Sequence, residues 1–186
     1  VVDCAKPLFA ALDAAKLPYE MVVYEDTIHL PRIQALIDRL PRDYDCVLGV
    51  GGGRAIDVAK RVKRALGIRM IAVPTSIASD ASASRTAVAY NAKGEIAEDC
   101  PIEGPEGILV DTQVLVSAPL RLFCAGMADA ISKKYEYDLS IKYHTGNWYG
   151  ADPVFFLKGV SEEMFAFLMR EARYLRGCFA RHEVNE

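Results

Sequence analysis

The sequence predicts an α/β fold in which a mostly parallel sheet with intervening helices is followed by a helical region. Two observations lead to this prediction. Short apolar runs alternate with amphipathic helical patterns over residues 1–118, whereas 120–142 and 162–181 are rich in Leu, Met, Phe and Ala without β-branched runs. Strands separated by helices of about a dozen residues form right-handed βαβ units, so the strands are expected to run parallel.

The first 118 residues supply the sheet. Apolar residues at helical spacing predict three helices, at 5–16, 32–40 and 55–66. Short continuous apolar runs predict three buried strands, at 46–50, 70–73 and 107–111. A further apolar run covers 21–24, Pro31 opens the second helix, and residues 86–96 predict a hairpin that turns on Lys93 and Gly94.

The character of the chain changes after Pro119, and we place a domain boundary near residue 118. Residues 120–142 and 162–181 predict helices, and the glycines, Pro153 and aromatic residues of 143–160 predict a long loop between them. The chain begins with Val1 rather than methionine. We therefore expect a fragment, in which residues 1–118 lack a first strand and 119–186 are the beginning of a truncated helical domain.

Charge and apolar pattern disfavour several classes of partner. Lys and Arg total 22 and Asp and Glu total 25, and this net charge of −3 predicts no binding to nucleic acid. Without an apolar run near the ~20 residues of a membrane span, and without a signal peptide, we expect no membrane association. The five scattered cysteines form no CxxC pair and indicate reduced thiols in a cytoplasmic protein.

A glycine-rich turn is the clearest candidate binding site. Gly51, Gly52 and Gly53 follow a predicted strand and open a predicted helix. Glycines allow a sharp turn and a close approach to a ligand, and the free N–H groups of a helix start suit a pyrophosphate. The alternative is a tight strand-to-helix turn that binds nothing.

Several motifs resemble the iron-containing (group III) alcohol dehydrogenases, the glycerol dehydrogenases and the dehydroquinate-synthase-like enzymes. The stretch from Gly51 to Lys60 resembles their GGGxxxDxxK motif, and the segment 126–130 (GMADA) resembles their GxGDA metal motif. Further matching segments keep the same order, at 74–80, 90–95, 110–112 and 117–119. The resemblance implies a Rossmann-like, dehydroquinate-synthase-like domain that binds NAD at 1–118 and a metal-binding helical domain after it.

The resemblance also implies cofactor contacts. The NAD pyrophosphate would be bound by a run of seven residues, Gly51, Gly52, Gly53, Arg54, Ala55, Ile56 and Asp57. The nicotinamide and its ribose would be lined by a second set, Thr75, Ser76, Ile77, Ala78, Ser84, Thr86 and Tyr90. Asp3 would accept hydrogen bonds from the adenosine ribose, which favours NAD, with NADP possible. Asp57 is placed in the first helical turn, where its alternative role is capping, and the alternative for the second set is a hydrated Ser-rich turn.

Two acidic residues would serve the substrate and a metal ion. The resemblance implies that Asp80 contacts polyol hydroxyls, the alternative being an Asx turn, and that Asp129 is a ligand of Zn²⁺ or Fe²⁺. A salt bridge to Lys133 or Lys134 is the alternative role of Asp129. The family supplies two later histidines, whereas here His144 and His182 are expected on the surface and His29 is expected in a loop before Pro31. The metal site is therefore expected to be incomplete.

These residues imply the NAD-linked, metal-dependent oxidation of glycerol or a related small polyol by a full-length protein that forms a homo-oligomer. The alternatives are sn-glycerol-1-phosphate dehydrogenase, a dehydroquinate-synthase-like lyase and a non-catalytic nucleotide-binding module. The chain by itself is expected to bind NAD weakly and to have little or no turnover. The apolar residues after 161 predict self-association.

Overall fold

The sheet of this protein is built around the helix that follows its glycine turn. The computed structural model describes residues 3–25, 27–91, 93–146 and 155–184. The helices are α1 (Lys6–Ala14), α2 (Leu30–Arg39), α3 (Gly53–Leu66), α4 (Thr112–Val116), α5 (Leu120–Tyr143) and α6 (Phe155–Ala180), with a 3₁₀ turn at Asp3–Ala5. The strands are β1 (Cys46–Gly51), β2 (Arg69–Pro74), β3 (Thr86–Tyr90), β4 (Ile96–Pro101) and β5 (Gly107–Ile108). Among the helices in these ranges, none carries the apolar stretch that a membrane span requires.

The chain divides into two compact units. The sheet unit comprises Val1–Thr75 and Ala81–Val114, and the helical unit comprises Ser76–Asp80 and Leu115–Glu186. The sheet unit ends at Val114, four residues before the predicted boundary near residue 118. The division also assigns the short segment Ser76–Asp80, which follows β2, to the helical unit.

A three-stranded parallel sheet confirms the predicted α/β architecture. Its order is β1-β2-β5, with β1 parallel to β2 and β2 parallel to β5. The prediction of a buried strand at 107–111 is wrong in length and burial, because β5 ends at Ile108 while Leu109 and Val110 are half exposed. Within the described residues β5 pairs with β2 alone, so its other edge has no partner strand. The side chain of Ile108 is exposed.

Helix α3 carries the core of the sheet unit. Its Ile56 and Ala59 pack against Met70 and Ala72 of β2. On its other side, Val58 and Val62 join a second apolar cluster, completed by Ile28, Ile33, Leu36, Ile37 and Ala89. The predicted period of α3 is therefore confirmed, with the helix beginning two residues earlier than expected.

Gly49 lets α3 approach β1 closely. A Cβ atom added at this position would lie 2.7 Å from Met70 Cε and 2.9 Å from Ala59 Cβ. Such distances are shorter than van der Waals contact, so any side chain at residue 49 would force the helix or Met70 to move.

The hairpin predicted at 86–96 is confirmed. Strands β3 and β4 pair antiparallel, and the Asn91 side-chain oxygen accepts hydrogen bonds from the N–H groups of Lys93 and Glu95. Gly94 has a φ of 79°, a conformation that L side chains rarely adopt. The hairpin therefore turns where glycine was expected to permit it.

The helical unit is dominated by α5 and α6. Phe123 stacks on Phe179 with ring centroids 4.3 Å apart, and Tyr135 meets Phe165 edge to face. The predicted loop 143–160 is wrong for residues 155–160, which form the first turns of α6. Gly159 favours a loop by propensity, but one glycine costs a helix only ~1 kcal/mol and does not end a helix of 26 residues. The loop signals Gly150 and Pro153 lie outside the described residues.

Two further segments lie between the predicted elements. The short helix α4 was not predicted, although the Asp111 carboxylate accepts hydrogen bonds from the N–H groups of Gln113 and Val114 and caps its start. The apolar run at 21–24 forms no strand, and Met21 and Val23 are half exposed.

Candidate functional site

The glycine turn presents an open helix N-terminus. Gly51 ends β1 with a φ of 147°, which favours glycine, and its carbonyl accepts a hydrogen bond from Thr75 N–H at 3.0 Å. Gly52 is the extended N-cap of α3 and contributes no side-chain cap. Within the described residues, no acceptor meets the N–H groups of the first three helical residues, Gly53, Arg54 and Ala55. Donors aimed outward from the positive end of a helix dipole form a site for an anion.

Asp57 and Lys60 form a buried ion pair beyond this turn. Lys60 Nζ lies 3.3 Å from Asp57 Oδ1, and the lysine is completely buried. Burial raises the pKa of the Asp57 carboxyl, and the ammonium group of Lys60 opposes that rise. The interpretation of Asp57 as a first-turn capping residue is wrong, because α3 begins at Gly53 and has no acidic residue in its first turn.

Lys60 also donates hydrogen bonds to two residues that were predicted to line the nicotinamide and its ribose. Lys60 Nζ donates to Ser84 Oγ at 3.0 Å and to the Thr86 carbonyl at 2.7 Å. The sequence motif included Lys60 but did not predict these contacts, because Ser84 and Thr86 lie 24 and 26 residues further along the chain. Tyr90 ends β3, and its N–H donates to the Ile28 carbonyl.

Asp3 occupies a different setting from the one expected. It lies in the 3₁₀ turn before α1, and its carboxylate is 2.8 Å from Lys6 Nζ on an exposed surface. Its assignment to the adenosine ribose stays a prediction.

In the helical unit, the loop 76–80 lies on α5 at Gly126. A Cβ atom at Gly126 would come within 1.8 Å of the Ile77 carbonyl oxygen, so only glycine permits this contact. The approach brings Asp80 N–H to 3.1 Å from Asp129 Oδ2. The structure therefore joins the two acidic residues that were predicted for substrate and metal, and it identifies Gly126 as the residue that allows them to meet.

Lys133 completes this acidic cluster. Its Nζ lies 3.6 Å from Asp80 Oδ2, 3.7 Å from Asp129 Oδ1 and 3.3 Å from Glu136 Oε2. Partial burial acts to lower the pKa of Lys133, but Asp80, Asp129 and Glu136 together raise it. The alternative interpretation of Asp129 as a salt-bridge partner of Lys133 is thus observed, whereas Lys134 pairs with Asp138 instead.

An open cavity of about 430 Å³ adjoins the cluster within the helical unit. Its polar wall includes Asp80, Asp129 and Lys133, and its apolar wall includes Phe123, Met164 and Leu168. Most of the cavity surface is apolar, and Asp80, Asp129 and Lys133 supply its charged groups.

The residues around Asp129 do not fit a divalent metal ion. No group of three His, Cys, Asp or Glu side chains that could hold a metal occurs in the part of the chain that the structure describes. The His182 ring contacts the Val116 carbonyl rather than a carboxylate. An ammonium group already lies at the Asp129 carboxylate, where a metal would need further protein ligands.

The predicted nucleotide residues are divided between the two units. The sheet unit contains Asp3, Gly51–Asp57, Thr75, Ser84, Thr86 and Tyr90, and the helical unit contains Ser76, Ile77 and Ala78. The expectation that the nucleotide site at the glycine turn and the metal site at Asp129 serve one reaction joins residues of both units and stays a prediction.

Comparison with known proteins identifies a family match over most of the sheet unit. Residues 6–119 match the iron-containing alcohol dehydrogenase family. Glycolaldehyde reductase of Halobacterium salinarum is 32% identical over 145 residues, which are 77% of this chain and 39% of that protein. Glycerol dehydrogenase of Thermotoga maritima is 30% identical over 155 residues, 83% of this chain and 41% of that protein.

A third relative is more similar over a shorter segment. Glycerol-1-phosphate dehydrogenase of Picrophilus torridus is 45% identical over 86 residues, 46% of this chain and 24% of that protein. The chain therefore spans between about a quarter and two fifths of the length of these curated relatives.

Solved structures confirm the fold. Glycerol dehydrogenase from Schizosaccharomyces pombe superposes with a TM-score of 0.89 and 24% identity, over 98% of this chain and 46% of that chain. A 2-deoxy-scyllo-inosose synthase solved with carbaglucose-6-phosphate, NAD⁺ and Co²⁺ superposes with a TM-score of 0.55 and 25% identity, over 68% of this chain and 39% of that chain. The Rossmann-like, dehydroquinate-synthase-like α/β fold with following helices is thus shared with enzymes of known structure.

Proposed function

We propose that the protein containing this chain oxidises glycerol or a related small polyol to the ketone, with NAD as hydride acceptor. The chain belongs to the iron-containing alcohol dehydrogenase family, and this membership is the premise of the proposal. The glycerol dehydrogenase and glycolaldehyde reductase among its relatives support a small hydroxylated substrate. The charged side chains of Asp80 and Lys133 in the cavity wall can bind the hydroxyl groups of such a substrate.

One observation carries the cofactor part of this proposal. Three N–H groups without acceptors in the described residues, on Gly53, Arg54 and Ala55, open α3 directly after a parallel strand. In parallel α/β sheets this is the edge at which a dinucleotide pyrophosphate binds. NAD would accept the hydride, and the protein's part is to hold the cofactor and orient the substrate.

The remaining predicted contacts are assigned by the family resemblance. The pyrophosphate site extends from Gly51 to Asp57, and Asp3 is proposed for the adenosine ribose. The nicotinamide and its ribose are proposed to contact Thr75, Ser76, Ile77, Ala78, Ser84, Thr86 and Tyr90. Asp80 would orient the substrate by accepting a hydrogen bond from a polyol hydroxyl.

The isolated 186-residue chain is proposed to have little or no turnover. Family resemblance assigns Asp129 to a Zn²⁺ or Fe²⁺ site, but the described residues offer no three-ligand group for such an ion. Weak binding of NAD with negligible oxidation of glycerol is the expected behaviour. Glycerol oxidation by the isolated chain at ordinary enzyme rates would contradict this part of the proposal.

Cofactor binding can be tested at the amide groups themselves. NAD should be titrated into ¹⁵N-labelled chain, and the amide signals of Gly53, Arg54 and Ala55 should shift as NAD binds. Gly53→Pro removes one N–H at the first helical position, where proline is tolerated, and the extended Gly52 suits a following proline. Gly53→Ala is the matched control because it keeps the N–H.

Comparing the two variants separates the loss of the N–H group from the steric effect of added side-chain atoms. A hydrogen bond to a charged group contributes about 1.5–3 kcal/mol, so G53P should bind NAD about 10- to 100-fold more weakly than G53A. Equal affinities in the two variants, or no shift at these three amides, would reject the glycine turn as the pyrophosphate site.

A second candidate substrate is sn-glycerol 1-phosphate. The 45% identity over 86 residues to a glycerol-1-phosphate dehydrogenase favours it within that segment. Comparing turnover of glycerol and of glycerol 1-phosphate by the protein that contains this chain decides between the two. Binding of NAD without turnover of either would favour a non-catalytic nucleotide-binding module.

A further inference from the structure

Both carboxylate oxygens of Asp129 are already engaged. Oδ2 accepts the hydrogen bond from Asp80 N–H at 3.1 Å, and Oδ1 lies 3.7 Å from Lys133 Nζ. The same ammonium group lies 3.6 Å from Asp80 Oδ2 and 3.3 Å from Glu136 Oε2. One ammonium group therefore faces three carboxylates, one from the loop 76–80 and two from α5.

We propose that Lys133 is a built-in counter-ion of Asp80 and Asp129, and that a divalent cation reaches the Asp129 carboxylate only by displacing its ammonium group. A cation on Oδ1 would lie within a few ångströms of Nζ, and like charges at that range repel. The described residues bring no three-ligand group together for a metal ion at Asp129, so a cation binds there weakly and its affinity depends on the charge of Lys133. Lys133 is tethered one helical turn from Asp129 and needs no further ligands.

Exposure of this cluster sets the size of the effect. The side chains of Lys133 and Asp129 are 37% and 30% exposed. Solvent therefore weakens the charge interactions but does not remove them, and added salt screens them further. From the Coulomb energy of charges about 4 Å apart in a strongly screening medium, we expect Lys133 to reduce divalent-cation affinity on the order of tenfold.

The test measures binding of Co²⁺ to the 186-residue chain by calorimetry at low ionic strength. Lys133→Met keeps the apolar stem and removes the charge, and it should bind Co²⁺ on the order of tenfold more tightly than the wild type. Lys134→Met is the matched control, because Lys134 is the next residue of α5 but pairs with Asp138. Its affinity for Co²⁺ should equal that of the wild type.

Two further measurements tie the effect to these residues. Asp129→Asn in the K133M background should abolish the gain in affinity, and raising the salt concentration should narrow the difference between K133M and wild type. The proposal is overturned if K133M shows no detectable Co²⁺ binding, if K133M and wild type bind Co²⁺ with equal affinity, or if the gain survives D129N. If circular dichroism shows that K133M does not fold, Lys133→Gln takes its place with the same expectations.

The proposal is independent of the cofactor and the substrate. Its readout needs neither NAD nor a polyol, so failure of the counter-ion proposal leaves the proposed oxidation untouched. Failure of NAD to bind at Gly53 would likewise leave the Co²⁺ result intact.

Discussion

The ammonium group of Lys60 lies 2.7 Å from the carbonyl oxygen of Thr86, in a region where the lysine is completely closed to solvent. Arg61, the next residue of α3, donates to the Ala87 carbonyl at 2.7 Å. Charged side chains of one helix thus bind backbone carbonyls of β3, while the apolar residues of the same helix pack on the parallel sheet. The ion pair with Asp57 offsets the cost of burying the Lys60 charge.

Lys60→Met should strongly destabilise the protein. It leaves the Asp57 carboxylate buried without its ammonium partner and removes a donor to Ser84 and Thr86. Breaking a buried ion pair on one side costs about 3–5 kcal/mol. Urea unfolding followed by circular dichroism measures the loss, and the D57N/K60M double variant should recover part of it.

An exposed lysine provides the control for this experiment. Lys158 lies 3.8 Å from Glu162 on α6, and both side chains are nearly half exposed. Lys158→Met should change the free energy of unfolding by less than about 1 kcal/mol. A K60M variant as stable as K158M would show that the buried pair contributes nothing.

Glu106 should make stability depend on pH in the acid range. Hydrogen bonds from the Lys63 ammonium and the Met70 N–H, each 2.7 Å long, lower the pKa of Glu106 from 4.5 to about 2. Because its pKa is lower in the folded state, Glu106 contributes its full stabilisation above pH 4.5 and loses it as the pH falls towards 2. As the pH falls from 4.5 towards 2, the free energy of unfolding should decrease less for Glu106→Gln than for the wild type.

Thermal unfolding across that pH range measures the difference. Glu163 on α6 is exposed and forms no ion pair among those found in the described residues, so Glu163→Gln should reproduce the wild-type profile. Parallel pH profiles of wild type and E106Q would contradict the assignment of this acid response to Glu106.

Gly126→Ala should destabilise the helical unit although alanine favours helices. The added Cβ would meet the Ile77 carbonyl oxygen at 1.8 Å, so the loop 76–80 must move away from α5. Overpacking costs typically about 1–3 kcal/mol, which exceeds the ~1 kcal/mol that alanine contributes to a helix. The Asp80 amide signal, whose hydrogen bond to Asp129 depends on this contact, should shift in an NMR spectrum.

Gly159 is the matched position on α6. A Cβ atom there would meet nothing within 4 Å, so Gly159→Ala should be neutral or stabilise by about 0.5–1 kcal/mol. Equal unfolding free energies for G126A and G159A would mean that the close approach at Gly126 has no energetic weight.

Local patterns predicted most of the fold and only part of the site. The periods of α2 and α3, the parallel β1–β2 pair and the hairpin were predictable because each depends on neighbours in the sequence. The i,i+4 pairing of Asp129 with Lys133 was accessible for the same reason. The proximity of Asp80 and Asp129 was expected only through the family resemblance, and their direct hydrogen bond could not be foreseen.

The errors have a common physical origin. The exposure of Leu109 and Val110 depends on which strands flank β5, and the helical state of 155–160 depends on context beyond the glycine within it. Lys60 is a surface residue by ordinary preference, and its burial depends on acceptors more than 20 residues away at Ser84 and Thr86. Such tertiary partners are absent from any short window of sequence.

Gly49 complicates the mutational dissection of this glycine-rich turn. An alanine scan would treat Gly49 and Gly51–Gly53 as equivalent positions, yet the first has its backbone pressed against Ala59 and Met70. A variant at residue 49 that no longer retains dinucleotide would report a displaced helix rather than a lost ligand contact. Gly51 carries its own constraint, a φ of 147° that favours glycine. Substitutions at Gly52 and Gly53, made in protein shown to be folded, are those that bear on cofactor recognition.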